Sequence, residues 1–394
     1  MSEQKKELHA LSKAIRIRVS KSEQMEHSSP LFLTSSFTFE NADDMRGAFA
    51  EENDENIYSR FSNPNVDEFT AKMIALEEAE AGFATASGMA AVFGSIFALL
   101  KQGDHLLCCS SVFGSTFTIV TKYLHKYGIE HTLISASDTS EWESAVKPNT
   151  KMLYLETPTN PQLEVIDLAF AGVFAKKHNI ILNVDNCFAT PLLQQPIKYG
   201  ANLVVHSATK WIDGQGRVLG GVVVGDAALI REIYLFCRNT GPSLSPFNAW
   251  ILSKSLETLD VRMQRHCENA LRLAQALQTH TNVSGIKYPF LPSHPQYNIA
   301  IKQMSAGGGI VCFEIKGGIE SGKKFLNNLQ MLSMTSNLGD TRSIASHPSS
   351  TTHSKLTEAE RLSVGITPGL IRISVGLEHV EDIINDIMQA LDNI

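Results

Sequence analysis

The most informative residues of this chain are a lysine and two hydroxyl residues that follow an apolar run. Residues 201–206 read ANLVVH, which is typical of a buried strand, and Ser207, Thr209 and Lys210 come directly after it. A lysine amine at the end of a buried strand can form a Schiff base with pyridoxal phosphate (PLP), and hydroxyl groups beside it can bind the phosphate. The pattern therefore predicts a PLP site, where reactions pass through a carbanion beside an amino acid nitrogen.

A carboxylate for the ring nitrogen of PLP is expected from Asp185. It follows the apolar run 180–184 at the end where ligands bind in open α/β sheets, 25 residues before Lys210. A carboxylate at that place keeps the ring nitrogen protonated and the cofactor an effective electron sink. The alternative is that Asp185 is an ordinary helix cap or loop residue.

Two further segments have the residue types that PLP needs. Ser87, Gly88 and Met89 form a tight turn into an apolar helix, so the free amides of Gly88 and Met89 can face the phosphate at the positive end of the helix dipole. Phe113 follows the predicted strand 105–109 and can stack on the ring. Most helix starts hold no ligand, and a lone phenylalanine can equally be a core residue.

Arg372 is the candidate for the carboxylate of an amino acid substrate. It lies in GLIRISVG at 369–376, where the alternation predicts a strand with Arg372 on the same face as Leu370 and Ser374. Burying an unpaired arginine is costly, so an anionic partner is expected. That partner is either a substrate carboxylate, held bidentately, or a structural glutamate.

The glycines of the stretch 213–221 suggest a competing function. Gly214, Gly216 and Gly220 are close to a dinucleotide-binding fingerprint, but their spacing differs from it and residues 219–225 read as a strand instead of a helix. An NAD-dependent dehydrogenase is therefore disfavoured.

Alternating strand and helix patterns predict the fold class. Strands are expected at 82–86, 105–109, 131–135, 151–155, 180–184, 202–206 and 221–225, with helices at 89–100, 117–127 and 169–178. The alternation favours a mainly parallel sheet between helices. A long helix at 250–280 then leads to a smaller α+β part with strands 308–315 and 370–375 and helices 319–330 and 378–392. We expect an N-terminal arm at 1–60, a PLP-binding α/β domain at 61–250 and a C-terminal α+β domain at 251–394.

The composition of the chain disfavours some classes of binding partner. The 394 residues carry a formal net charge of -7, with 43% hydrophobic and 19% charged residues, which is ordinary for a globular enzyme and disfavours nucleic-acid or anionic-membrane partners. No apolar run is long enough to span a membrane, and the polar N-terminus lacks a secretory pattern. Six scattered cysteines without a CxxC pair indicate a reduced, cytoplasmic protein without a metal site.

Several motifs in the same order resemble one known family. They are YSR at 58–60, SGMAA at 87–91, SATK at 207–210 and SVGLE at 374–378, and they are similar to the PLP-dependent enzymes of Cys/Met metabolism over nearly the whole chain. The resemblance implies the aspartate-aminotransferase-like fold (PLP fold type I) and a homotetramer built as a dimer of dimers. It also implies that Tyr58 and Arg60 reach the PLP phosphate of the neighbouring subunit, and that Asn160 lies near the PLP hydroxyl and the substrate carboxylate.

Departures from the common family pattern indicate the reaction. Many members have tyrosine where this chain has Phe113, which can stack but cannot donate a proton. A thiolate leaves more easily with the help of an acid, whereas a carboxylate, the anion of a much stronger acid, leaves without one. Ser115 replaces the cysteine of methionine γ-lyases, and Asn337 stands where many lyases have serine, so it is expected near the substrate.

The sequence thus predicts a γ-replacement on an acylated homoserine. Residues 211–221 and 26–30 look most like those of O-succinylhomoserine sulfhydrylases, which predicts O-succinyl-L-homoserine and sulfide as substrates and a role in methionine biosynthesis. Arg217 either neutralises the succinyl carboxylate or forms a structural ion pair. Cystathionine γ-synthase, with cysteine as nucleophile, is the closest alternative; a methionine or cystathionine γ-lyase and a non-catalytic PLP-carrying protein are more distant ones.

Overall fold

The computed structural model describes residues 8–351, 354, 357–363 and 365–394. Strands within these residues are β1 (Ala81–Thr85), β2 (His105–Cys109), β3 (Glu130–Ile134), β4 (Thr150–Glu156), β5 (Ile181–Asp185), β6 (Leu203–Ser207), β7 (Gly221–Gly225), β8 (Val283–Lys287), β9 (Ile310–Ile315), β10 (Ser333–Met334), β11 (Ile344–Ser346) and β12 (Leu370–Ser374).

The α-helices alternate with these strands. They are α1 (Ala10–Arg16), α2 (Ala42–Phe49), α3 (Pro64–Glu77), α4 (Gly88–Phe97), α5 (Gly114–Thr118), α6 (Trp142–Ala145), α7 (Leu168–His178), α8 (Thr190–Leu193), α9 (Ala227–Thr240), α10 (Pro246–Leu256), α11 (Leu259–Leu277), α12 (Tyr297–Gln303), α13 (Gly318–Asn328), α14 (Glu358–Ser363) and α15 (Val380–Asp392). Short 3-10 helices occupy Leu124–Tyr127, Pro196–Tyr199 and Pro348–Ser350, and Ile119–Tyr123 is a π-helix.

The larger sheet confirms the expected α/β architecture. Its strand order is β1-β7-β6-β5-β4-β2-β3, and all neighbours are parallel except β7, which runs antiparallel to both β1 and β6. The central strands are buried on both faces, which explains why their sequences are almost continuously apolar instead of alternating. Parallel strands end at one edge, so β4, β5 and β6 bring Glu156, Asp185 and Ser207 to that edge together.

A second, five-stranded sheet of order β10-β11-β12-β9-β8 forms the core of the C-terminal part. Strand β12 lies between β11 and β9, antiparallel to both, and its Ile371 and Ile373 pack into a separate apolar cluster with Phe313 and Phe325. The alternation predicted around Arg372 is therefore a central strand. Its other face turns toward the larger sheet, which is why Arg372 can reach residues of both parts. Where one domain ends and the next begins stays a prediction.

The helical stretch expected at 250–280 is two helices. The chain leaves helical geometry at Thr258, between α10 and α11. The break lets the buried guanidinium of Arg262 donate to the carbonyl oxygens of Ser255 (2.9 Å), Trp211 (2.6 Å) and Ile212 (3.1 Å). These contacts tie α11 to the turn after Lys210, and tertiary hydrogen bonds of this kind have no periodic signature in the sequence.

Other differences are local. The helix expected at 117–127 is a chain of α5 and the short π- and 3-10 segments, and β8, β10 and β11 were not expected. Strand β8 is an edge strand with a central glycine, Gly285, and β10 has two residues, so neither shows a strong alternating pattern. No helix among the described residues combines the length and apolar character that crossing a membrane requires.

Candidate active site

Lys210 lies in the turn that follows β6, and its amine is held from the C-terminal part of the chain. Its Nζ donates a hydrogen bond of 2.7 Å to Oδ1 of Asn337. Burial lowers the pKa of Lys210, and the nearby positive charge of Arg372 lowers it further. Both effects favour the neutral amine, which is the form that acts as a nucleophile and as a base.

The turn predicted for the phosphate lies against the end of β6. Ser87 Oγ caps α4 by accepting from the amide of Ala90 at 3.1 Å. The amides of Gly88 and Met89, the first two of the helix, have no intrahelical acceptor and remain available to an anion. A Cβ on Gly88 would lie 2.5 Å from Cβ of Ser207, so only glycine allows this close approach. The structure thus brings four of the predicted cofactor residues to one place.

The hydroxyl group of Thr209 forms hydrogen bonds with the backbone of Gly220. Its Oγ1 donates to the carbonyl oxygen of Gly220 at 3.3 Å and accepts from the amide of the same residue at 3.2 Å. This pair of hydrogen bonds fixes the turn after β6 to the start of β7. The hydroxyl has a second lone pair, but its first structural role is to hold the turn that carries Lys210.

Asp185 ends β5 as expected and is buried, with 9% of its surface exposed. Its Oδ1 accepts from the amide of Cys187 at 3.0 Å, and the hydroxyl of Tyr154 lies 3.5 Å from Oδ2. Burial raises the pKa of Asp185 to about 6, against the opposing effect of the Cys187 amide. A cation beside this carboxylate would be strongly favoured.

Glu156, which the sequence analysis did not select, lies next to Asp185. The two residues are paired neighbours on β4 and β5, so their side chains point to the same face. Burial, and then the charge of Asp185, raise the pKa of Glu156 well above its ordinary value. Its Oε2 accepts from the amide of Phe113 at 2.6 Å and its Oε1 from the amide of Asn160 at 3.0 Å. A carboxylate at the end of an otherwise apolar strand was the signal that could have identified it.

Phe113 directly precedes α5 and is not a core residue. Its side chain is 44% exposed, although its amide is bound to the buried Glu156. An aromatic ring that is held at its backbone and open on its face is available for stacking on a flat ligand. This excludes the core packing considered as the alternative for Phe113.

Arg372 is buried and has no carboxylate partner among its hydrogen bonds. Its Nη1 donates to Oδ1 of Asn160 at 3.1 Å and its Nη2 to the carbonyl oxygen of Asn337 at 3.3 Å. Its Nε has no partner within the described residues, and burial lowers the pKa of Arg372. Within the described part of the chain, Arg372 therefore does not bind the structural glutamate considered as an alternative. A buried, incompletely paired guanidinium is an anion site.

Tyr58 and Arg60 contact other parts of their own chain. Tyr58 is 41% exposed, and the guanidinium of Arg60 lies over the rings of Phe61 (4.8 Å) and Tyr58 (5.4 Å) and donates to the carbonyl oxygen of Arg238. These contacts do not join them to the cluster around Lys210. Their expected role at a neighbouring subunit stays a prediction.

Arg217 forms the structural ion pair. Its Nε donates to Oδ1 of the fully buried Asp213 at 3.0 Å, its own amide donates to Oδ2 at 2.7 Å, and Nη2 donates to Oγ of Ser255. The glycines around it form a turn instead of a nucleotide loop, with positive φ at Gly214 and Gly216.

The residues fit PLP on structural grounds alone. An amine of lowered pKa, a buried carboxylate at the end of the neighbouring strand and free helix-start amides at a glycine contact are the donor set that a phosphorylated pyridine aldehyde needs.

A family model for Cys/Met metabolism PLP-dependent enzymes matches residues 12–392. The chain belongs to this family. PLP is therefore its cofactor, as expected.

Relatives and solved structures agree with the assignment. The chain is 45% identical to O-succinylhomoserine sulfhydrylase of Pseudomonas aeruginosa (96% of this chain, 94% of that protein) and 42% identical to L-methionine gamma-lyase of Porphyromonas gingivalis (93% and 92%). A Campylobacter jejuni structure described as a candidate O-acetylhomoserine (thiol)-lyase has a TM-score of 0.94 at 33% identity, with 98% of this chain and 100% of that chain covered, and carries N'-pyridoxyl-lysine-5'-monophosphate. These likenesses confirm the fold class.

Proposed function

We propose that this enzyme is a γ-replacement enzyme that converts O-succinyl-L-homoserine and sulfide into L-homocysteine and succinate. The observation that carries the proposal is Phe113, an exposed ring whose backbone is fixed at the site but which has no proton to give. The identity to sulfhydrylases, 45% for that of Pseudomonas aeruginosa and 42% for that of Mycobacterium tuberculosis, supports the same reaction.

We assign PLP to the residues that fit it. Lys210 would hold it covalently, and Asp185 would pair with its ring nitrogen. Ser87, Gly88, Met89, Ser207 and Thr209 would bind its phosphate. When bound, PLP supplies an electron sink that stabilises negative charge at Cα of the amino acid.

Arg372 holds the substrate by its α-carboxylate. Asn160 and Asn337 already orient two of its nitrogens, at 3.1 and 3.3 Å, so that Nε is left for an anion. A carboxylate bound there loses water and gains charge-assisted hydrogen bonds. Asn337 Oδ1 also accepts a hydrogen bond from Lys210 Nζ. Asn337 therefore contacts both Arg372, which binds the substrate carboxylate, and Lys210, which acts as the base.

Lys210 moves the protons. Its amine, whose pKa is lowered by burial and then by Arg372, takes the proton from Cα of the substrate. The acyl group then leaves from Cγ after loss of a proton from Cβ. Succinate departs as a carboxylate, whose conjugate acid has a pKa of about 4.3, so that no protein acid has to protonate it. Sulfide adds at Cγ as HS−, a proton returns to Cβ, and Lys210 returns the proton to Cα, which restores both C–H bonds in L-homocysteine.

The catalytic unit is proposed to be a dimer within a homotetramer. Tyr58 and Arg60 would complete the phosphate site of the neighbouring subunit, because in their own chain they contact Phe61 and Arg238 instead. A cytoplasmic location and a role in methionine biosynthesis follow from the same proposal.

Methionine γ-lyase activity is the second candidate. It is favoured by relatives of that name at 42–43% identity over 93% of this chain. Against it stands Phe113, since a thiolate leaving group benefits from a proton donor that phenylalanine lacks. Cystathionine γ-synthase differs only in using cysteine where the sulfhydrylase uses sulfide.

The test is a steady-state assay of PLP-loaded protein with O-succinyl-L-homoserine, comparing sulfide and cysteine as nucleophiles, and with L-methionine alone. We expect fast homocysteine formation with sulfide, little cystathionine and little ammonia from methionine. Lys210→Ala serves as the control and is expected to lose both the visible absorbance of the bound cofactor and turnover. Efficient cystathionine formation would identify a γ-synthase, and efficient methionine cleavage a lyase.

A further inference from the structure

Glu156 accepts hydrogen bonds from two loops, one that carries Phe113 and one that carries Asn160. We propose that Glu156 is a positioning residue that fixes Phe113 and Asn160 at once, so that ring stacking and carboxylate binding depend on one side chain. The proposal builds on the functions proposed above for Phe113, Asn160 and Arg372. Glu156 itself would touch neither the substrate nor the cofactor.

We call this arrangement the Glu156 clamp: each carboxyl oxygen of Glu156 accepts a hydrogen bond from the backbone of a different loop. Glu156 ends β4, the strand between β2 and β5, and is 5% exposed. One carboxyl oxygen accepts from the amide of Phe113, which lies in the loop after β2, at 2.6 Å. The other accepts from the amide of Asn160, in the loop after β4 itself, at 3.0 Å. One rigid strand end thus holds two loops at their backbones.

Each arm leads directly to a functional group. Phe113 is the residue before α5, with φ -50° and ψ 137°, so its amide hydrogen bond fixes the backbone position from which the ring projects. Asn160 continues the other arm, because its Oδ1 accepts from Nη1 of Arg372 at 3.1 Å. A shift of Glu156 would therefore displace the ring contact and the guanidinium together.

The clamp needs two acceptors and not a particular charge. A carboxyl group offers acceptor lone pairs on both oxygens, whether it is ionised or protonated, whereas a carboxamide has one acceptor and one donor. Burial and the charge of Asp185 raise the pKa of Glu156, while the two amide donors oppose that rise. Glutamine has nearly the same shape, but its NH2 group would face one of the two amides.

The test is the Glu156→Gln variant of the PLP-loaded enzyme, in which ligand binding is measured and turnover is not. L-Alanine has an α-carboxylate but no γ leaving group, so its binding can be titrated through the visible absorbance of the cofactor. Circular dichroism of the same band reports the orientation of the ring in the site. The PLP affinity and the thermal unfolding of the protein are measured beside them.

We expect the dissociation constant for L-alanine to rise about 10- to 100-fold, because one buried hydrogen bond to a polar partner is lost and its donor is left unpaired. The visible circular dichroism is expected to lose intensity, while PLP affinity stays close to that of the wild type. Neither measurement uses an acyl ester or sulfide. The role of Glu156 can therefore be tested even if the enzyme shows no sulfhydrylase activity.

Glu68→Gln is the matched control. Glu68 is also buried and also accepts on both oxygens, from Oγ of Ser253 at 2.6 Å and from the amide of Val19 at 3.0 Å. It differs from Glu156 in forming an ion pair with Lys72 at 3.2 Å, so its substitution is a demanding control for the stability effect. It is expected to lower the melting temperature without changing L-alanine binding or the dichroism. Wild-type values of both readouts in Glu156→Gln would overturn the proposal, as would changes that Glu68→Gln reproduces in full.

If Glu156→Gln does not yield a folded holoenzyme, Glu156→Asp replaces it. Aspartate keeps both acceptors but withdraws them by one methylene, so both readouts are expected to change in the same direction by smaller amounts. Unchanged L-alanine binding and dichroism in Glu156→Asp would also contradict the clamp.

Discussion

The substitution Asp185→Asn is expected to have opposite effects on the cofactor-free and the cofactor-loaded protein. Asp185 is buried, and burial raises its pKa from 3.8 to about 6. Without a cation beside it, the ionised carboxylate destabilises the folded chain. Asparagine can keep the hydrogen bond from the amide of Cys187 and carries no charge.

The magnitude follows from linkage. Since a tenfold change in a protonation equilibrium corresponds to about 1.4 kcal/mol, a rise of the pKa from 3.8 to about 6 costs about 3 kcal/mol of folding free energy at pH 8. The folded state binds the proton more tightly than the unfolded state, so stability falls as pH rises between these two values. The cost is absent below about pH 4 and complete above about pH 6.

The assay is equilibrium urea unfolding of the cofactor-free wild type and Asp185→Asn at pH 4 and pH 8. The variant is expected to be more stable by about 3 kcal/mol at pH 8 and by much less at pH 4. In the presence of PLP the order reverses, because the variant lacks the anion for the ring nitrogen and its PLP dissociation constant is expected to rise at least about tenfold.

Asp386→Asn is a control that is expected to change the free energy of unfolding in the opposite direction. Although burial opposes its ionisation, the amides of Gln330, Leu332 and Met331 hold the pKa of Asp386 below its ordinary value. Its removal is therefore expected to destabilise the protein at pH 8. A cofactor-free Asp185→Asn protein that is less stable than the wild type at pH 8, or a gain that is as large at pH 4, would refute the reasoning.

Three further substitutions test the other assignments. Phe113→Tyr supplies the missing proton donor, so ammonia release from L-methionine is expected to rise about tenfold or more in a ketoacid assay. Arg217→Ala leaves the fully buried Asp213 without its ion-pair partner, which is expected to cost about 3 kcal/mol in urea unfolding, while the ratio of KM values for succinyl and acetyl esters stays unchanged; a selective rise for the succinyl ester would contradict the structural assignment. Gly88→Ala places a Cβ 2.5 Å from that of Ser207 and is expected to weaken PLP binding in a fluorescence titration, whereas an unchanged affinity would show that the contact relaxes.

The sequence by itself determined the strands of the larger sheet and the residues at their ends. Apolar runs of five or six residues can be buried on both faces only in a sheet covered by helices, so 105–109, 151–155, 180–184, 202–206 and 221–225 were predictable within one or two residues. Because parallel strands end at one edge, Asp185 and Lys210 were expected there together, and the structure places both at that edge.

The tertiary structure alone decided which groups touch. The hydrogen bond from Lys210 to Asn337 joins residues 127 positions apart, and that from Arg372 to Asn160 joins residues 212 positions apart. Loops that meet across two sheets leave no periodic pattern in the sequence. For the same reason the sequence did not show the contacts of Glu156, because its carboxyl group accepts from the backbone amides of two separate loops. Local periodicity fixes which segments are strands, but only packing decides which loop ends share a carboxylate.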